Sequence, residues 1–179
     1  MVDQSASSPQ LLLLATGGTI AGRADKSTSL NAYTAGAMAG SELLQELPQL
    51  QELARIQVEQ LTNLDSADLQ FQHWIQLVKR IREAFAASPE LVGVVITHGT
   101  NTLEETAYFL HLTLNTSKPV IITGAQKPFS ALGSDAYFNF VIESNLTGPV
   151  RLTEKVFKPI KNCQPFVIAG ARGSVQQLR

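Results

Sequence analysis

Cys163 is the only cysteine in the 179-residue sequence. One thiol forms no internal disulfide and leaves no second sulfur for a cysteine-rich metal site, so the sequence is compatible with a reducing compartment. Charge of one sign is also missing. The 14 basic and 15 acidic residues are spread along the chain and leave a formal charge of -1. No long-range field therefore gathers nucleic acid or an anionic membrane, and neither is expected as a partner. Long apolar runs are absent as well. Leu11 to Ala15 falls far short of the roughly 20 residues that a spanning helix needs. The polar opening MVDQSASSPQ has no basic flank to make that run a secretory signal, which leaves the cytoplasm as the default location. The three histidines, His73, His98 and His111, stand at no metal-pair spacing, so no metal site is expected.

What remains is an ordinary core-forming composition, 44% hydrophobic and 16% charged, in a chain of a length that suits one sizeable domain. Three short aliphatic runs read as buried strands: Leu11 to Ala15, Val92 to Thr97 and Pro119 to Thr123. Arg55 to Gln60 is a weaker fourth. Between them, Leu69, Trp74, Leu77, Val78, Ile81 and Phe85 recur at helical spacing through Asp68 to Ala87, with Ser66 or Asp68 as the expected cap. Ser41 to Leu47 and Leu103 to Leu114 read as further helices. This alternation predicts an α/β fold, a mostly parallel sheet flanked by helices, with any ligand site outside the carboxyl ends of the strands.

Those carboxyl ends carry the polar motifs. Thr16-Gly-Gly-Thr-Ile-Ala-Gly, Thr97-His-Gly-Thr-Asn-Thr and Gly124-Ala-Gln-Lys-Pro each follow a strong strand, and Asn63-Leu-Asp-Ser-Ala-Asp follows the weaker one. Four polar loops on one edge imply one composite site. Taken alone, Gly17 and Gly18 are a tight turn more often than a ligand cradle. A phosphate loop fits poorly, because neither G-x-x-x-x-G-K-[ST] nor G-x-G-x-x-G is present. Helix capping by Asn101 or Thr102 explains part of the second loop but not Thr97, His98 and Thr100 together. His98 reads as orienting that loop rather than as a base, and His73 and His111 as helix residues.

The run A-T-G-G-T-I-A-G at Ala15 to Gly22, V-I-T-H-G-T at Val95 to Thr100, Leu103-Glu-Glu-Thr-Ala-Tyr-Phe-Leu and Gly133-Ser-Asp resemble the bacterial-type L-asparaginases over roughly residues 11 to 140. The resemblance implies a Rossmann-like N-terminal domain of the asparaginase type and hydrolysis of the asparagine side-chain amide, with glutamine as a slower substrate and no cofactor. Carried over by position, Thr19 matches the nucleophile, Thr100 the second catalytic threonine and Tyr33 the tyrosine of a flexible loop. Ser66, Asn101, Gly99 and Asp65 become the substrate-binding set. Arg23 to Gly36, polar and without hydrophobic period, would then be a loop that closes Tyr33 over substrate. The resemblance also implies a homo-oligomer.

Two departures stand out. The family usually carries aspartate where this sequence has Asn101, and that carboxylate grips the α-ammonium of the substrate. After about Phe140 the segment bearing the catalytic lysine is not recognisable, and Lys155, Lys158 and Lys161 do not match its context. The expected organisation is a polar tail at 1–10, an asparaginase-like domain at 11–148, and a divergent segment at 149–179, either short strands or a tail, with no recognisable second domain. Two functions follow: an amidohydrolase open to impairment by truncation, or a non-catalytic amino-acid-binding or remnant domain.

Overall fold

The four leucines Leu11 to Leu14 have no polar face, and the chain places them where both faces are covered. They belong to β1 (Gln10–Gly17), which pairs in parallel with β4 (Arg55–Leu64) on one side and β5 (Leu91–Thr97) on the other. The computed structural model describes residues 8–30, 32–137 and 139, together with two backbone strands further on, β7 (Phe166–Ala169) and β8 (Val175–Gln176). With β6 (Val120–Thr123) these make a six-stranded sheet in the order β4-β1-β5-β6-β7-β8. Every pairing is parallel except β7 with β8. The expected mostly parallel sheet is found, and a stretch that reads equally as strand or tail supplies β7 beside β6.

Strand alternation sends successive side chains to opposite faces. Leu12, Leu14, Val94, Ile96, Val120 and Ile122 pack with Leu77 and Ile81 of α3 (Phe71–Ala87) and with Ala107 and Leu110 of α4 (Leu103–Thr113). Leu13 and Val95 point the other way, against Leu44, Leu47 and Leu50 around α1 (Gly40–Gln45) and α2 (Gln49–Leu53). Each fully buried leucine contributes roughly 1.5 to 3 kcal/mol. The two inward rows of β1 are therefore enough to fix its register against both helix layers.

Several local expectations are corrected. The long helix starts at Phe71, and its entry is closed by the Gln70 N–H donating to His73 Nδ1 at 2.9 Å. Ser66 and Asp68 do not cap it. They lie in a separate short 3₁₀ turn, Ser66–Asp68, capped by Asp65, whose Oδ1 accepts from the Ala67 N–H at 3.0 Å. The helix expected to end near Pro48 resumes after it as α2, since proline suits the first turn of a helix. The weak fourth strand is the longest, Arg55–Leu64, and its signal is weak because this edge strand alternates only between half-buried and exposed positions. Arg23 to Gly36 contains a small antiparallel hairpin, β2 (Arg23–Ala24) with β3 (Tyr33–Thr34). Two residue pairs are too few to leave a strand pattern in sequence.

Candidate active site

Counting outward from β1, the chain steps to β4 on one side and to β5, β6 and β7 on the other. The order reverses between β1 and β5, and a crevice opens at such a switch point beyond the carboxyl ends of the strands. The loops that leave those two strands carry Thr19 and Thr100.

The β1 loop turns through Gly17 and Gly18, both at positive φ (100° and 74°). The Gly18 N–H donates to Leu64 O at 2.8 Å, tying the turn to the end of β4. A side chain at Gly18 would put its Cβ 2.3 Å from Gly99 Cα, and one at Gly99 would sit 2.5 Å from Ser66 Oγ. The β1, β5 and β4 loops therefore touch through backbone, a spacing only glycine permits. This contact joins three of the four polar loops into one surface. The fourth adjoins it: a Cβ at Gly124 would lie 3.0 Å from His98 O and 3.1 Å from Thr100 Cγ2.

Thr19 opens the short 3₁₀ turn Thr19–Ala21 and is buried. Its Oγ1 lies 2.8 Å from the Tyr33 hydroxyl. Tyr33 is half-buried on the hairpin, so one edge of its ring reaches the site while the strand stays near solvent. Two bonds clamp the exit of the hairpin to the same turn: Gly36 N–H to Gly18 O and Met38 N–H to Ala21 O, both at 2.9 Å. Thr16, next to the turn, donates to Thr97 O at 2.8 Å and serves the backbone.

The β5 loop is fixed from below by a chain of hydrogen bonds. Trp74 Nε1–H of α3 donates to Thr106 Oγ1 at 2.8 Å, and Thr106 Oγ1 lies 2.9 Å from His98 Nε2. His98 Nδ1 is 2.7 Å from Gly99 O. A carbonyl only accepts, so Nδ1 carries the proton and Nε2 accepts from the threonine hydroxyl. His98 is fully buried, and desolvation pulls its pKa down to about 4, against the opposing hydrogen bond to Gly99. The histidine is thus neutral and committed on both nitrogens. It orients the loop, as its sequence context implies. Trp74 also stacks on Phe109, with centroids 5.4 Å apart, so helix packing and loop orientation are coupled.

Ser66 is buried, its Oγ accepting from the Asn101 N–H at 3.1 Å and its carbonyl from Thr102 Oγ1 at 2.8 Å. Its own hydroxyl proton remains to be donated elsewhere. The Asn101 carboxamide donates through Nδ2 to Asp65 Oδ1 at 2.9 Å. The negative charge that Asn101 lacks therefore stands beside it, on the neighbouring loop. Six of the seven candidate residues fall on the loops after β1, β4 and β5, and Tyr33 lies on the hairpin clamped to the β1 turn. Lys155, Lys158 and Lys161 lie outside the described residues.

Sequence reading missed Thr106 and Trp74, whose spacing of 32 residues carries no local signal. Asp135 stands in the Gly133-Ser-Asp motif, but sequence alone assigned it no role; its two carboxylate oxygens accept from the Gln126 and Lys127 N–H groups at 3.0 and 2.9 Å and shape the β6 loop. Beneath the site, the Thr97 and Thr123 hydroxyls are buried without a hydrogen-bond partner among the described residues, a cost of about 1 to 3 kcal/mol each. The described residues hold no cluster of histidine, cysteine and carboxylate that could bind a metal ion, and no helix long and apolar enough to cross a membrane.

Known proteins share this fold and much of this sequence. L-asparaginase 2 of Bacillus subtilis is 41% identical over 131 residues, which is 73% of this chain and 35% of the relative. L-asparaginase 2 of Escherichia coli is 43% identical over 131 residues, 73% of this chain and 36% of the relative. A solved structure of a probable cytoplasmic L-asparaginase from Campylobacter jejuni superposes with a TM-score of 0.80 at 38% identity, covering 90% of this chain and 46% of that one. The chain thus spans about a third of the length of these curated relatives. The family model for the N-terminal domain of asparaginases matches residues 10–147, and the chain belongs to the asparaginase family.

Proposed function

We propose that this chain carries the nucleophile-bearing half of an amidohydrolase that converts L-asparagine to L-aspartate and ammonia. The observation that carries the proposal is the 2.8 Å contact between Thr19 Oγ1 and the Tyr33 hydroxyl. A threonine hydroxyl is a weak nucleophile and needs a partner to accept its proton as it attacks. In this reading Thr19 Oγ1 bonds to the amide carbon while its proton passes through Tyr33 or Thr100. The C–N bond then breaks, ammonia leaves with the relayed proton, and an ester remains on Thr19. Water adds to the ester and releases aspartate. Backbone amides at the glycine turn and at Thr100 stabilise the oxyanion, each donor contributing about 2.7 to 4 kcal/mol in hydrolases where one has been removed.

Recognition is assigned to the other adjoining loop. Ser66 donates its free hydroxyl proton to the substrate α-carboxylate, and Gly99 lets the two approach. Asp65 supplies the negative charge toward the α-ammonium, with Asn101 orienting it. Glutamine is one methylene longer and reacts more slowly. The relatives named for this activity are about twice as long as this chain, so a full site assembled in a homo-oligomer and a cytoplasmic setting belong to the same proposal.

Ammonia release from L-asparagine by the purified chain tests the reading. Thr19→Ala should lower kcat at least about a thousandfold, as loss of a nucleophile does in other hydrolases. Full activity in that variant overturns the assignment. Calorimetric binding of aspartate with no ammonia from any version would assign the chain to amino-acid binding alone.

A further inference from the structure

The loop after β6 does more than border the site. Ser130 Oγ accepts from the Ala24 N–H at 2.8 Å, and Ala24 is the residue directly across from Tyr33 in the β2–β3 pair. Two residues further, the Leu132 N–H donates to Ser27 O at 2.7 Å, on the connection between the two hairpin strands. Phe129 packs on both sides of the nucleophile turn, against Ile20 in one apolar cluster and against Ala21 and Met38 in another. Pro128 completes the seat: a Cβ at Gly22 would meet Pro128 Cβ at 3.0 Å and Tyr33 Cδ2 at 2.9 Å. The loop is itself rigid, held by the Asp135 carboxylate and by Lys127 Nζ donating to Gly133 O at 3.0 Å.

We infer that Ser130 is a positioning residue for Tyr33, acting through Ala24 to hold the tyrosine hydroxyl at Thr19. The argument is geometric. A hairpin with only two residue pairs cannot hold its own register, since even longer isolated hairpins are marginal in water. Its place must therefore come from contacts outside it. At its exit those contacts run to the glycine turn, and on the strand opposite Tyr33 the contact is Ser130. Loss of the Ser130 acceptor frees the Ala24 amide and lets β2, with the paired tyrosine, move relative to Thr19. The catalytic consequence rests on the proposed role of Tyr33, but the positional one does not.

The test uses the full chain carrying 3-fluorotyrosine at its three tyrosines, with the Tyr33 fluorine signal assigned by its loss in Tyr33→Phe. Ser130→Ala should shift or broaden that signal and leave those of Tyr108 and Tyr137 in place, while kcat for asparagine falls at least about threefold, ~0.65 kcal/mol, and KM changes little. Ser130→Thr keeps the oxygen and should restore both readouts. Ser130→Cys keeps the volume, weakens the acceptor and reads the same contact if the alanine variant does not fold. A Tyr33 signal unchanged in folded Ser130→Ala or Ser130→Cys overturns the inference. Absence of ammonia release in every version, wild type included, counts against the catalytic proposal and leaves the fluorine result to decide this one.

Discussion

At the amino-terminal ends of β1, β4 and β5 the sheet opens into a cavity of about 740 Å³, lined among others by Gln10, Arg55, Gln57 and Arg80. At the carboxyl ends the same strands run into loops so close that Gly18 and Gly99 leave no room for a side chain. The roomy end has the volume of a ligand site, but its polar groups do not converge on a nucleophile. Arg80 is already committed to Glu59 through two hydrogen bonds, and that contact raises its pKa. The tight end has the opposite character: a threonine and a tyrosine hydroxyl in contact, a serine with a proton to give and a carboxylate beside an amide. Chemistry follows convergence of groups, and convergence here requires backbone contact rather than space.

Breaking that contact is the most severe way to test the comparison. Gly18→Ala forces a Cβ into Gly99 at a φ of 74°, and we expect at least about 4 kcal/mol of destabilisation, the exceptional end of single substitutions. Chemical denaturation measures it. An ordinary loss of under about 1 kcal/mol would show that the loops can separate freely.

Next in size is the buried histidine. The folded-state pKa of His98, about 4, lies below the ordinary histidine value of 6.5, so between those pH values the unfolded chain binds the extra proton. Stability is then full above pH 6.5 and falls as pH drops toward 4, by about 3 kcal/mol. His98→Asn should start lower and lose this slope. Urea midpoints across that window decide the matter, and an equal slope in both proteins would remove His98 as its source.

Substrate recognition is the third comparison. Asp65→Asn should raise KM for asparagine about tenfold, ~1.4 kcal/mol, with less change in kcat. Asn101→Asp should not improve binding, because it sets a second carboxylate where Nδ2 now donates to Asp65. A lowered KM in that variant would return the recognition role to residue 101.

The smallest effect belongs at the roomy end. Arg80→Gln removes a partly exposed ion pair, which costs about 1 kcal/mol or less. It should leave ammonia release unchanged. A large loss of activity would mean that the amino end contributes to function after all.

Much of this fold was readable in advance because its signals are local. Three aliphatic runs gave three strands within one or two residues, and the 3.6-residue rhythm of Leu77, Ile81 and Phe85 gave the long helix. Its start was misplaced for a tertiary reason: Ser66 looks like a cap, but its hydroxyl is taken by Asn101, 35 residues away. The hairpin was invisible because two pairs leave no alternation. Six of the seven candidate residues lie on the adjoining loops and Tyr33 on the hairpin bonded to them, yet the roles of the groups that hold these segments in place, Trp74, Thr106, Ser130 and Asp135, were not found.

By itself the sequence determined the central strands, the two long helices, the family and the residue types available for chemistry, since each is written in spacing or in short contiguous motifs. Only the tertiary structure decided that His98 is neutral and held on both nitrogens, that Asp65 stands beside Asn101, and that the loop after β6 carries the hairpin of Tyr33. These facts are hydrogen bonds and desolvation between residues 8 to 106 positions apart. Such interactions exist only once the sheet has brought the loops to one edge.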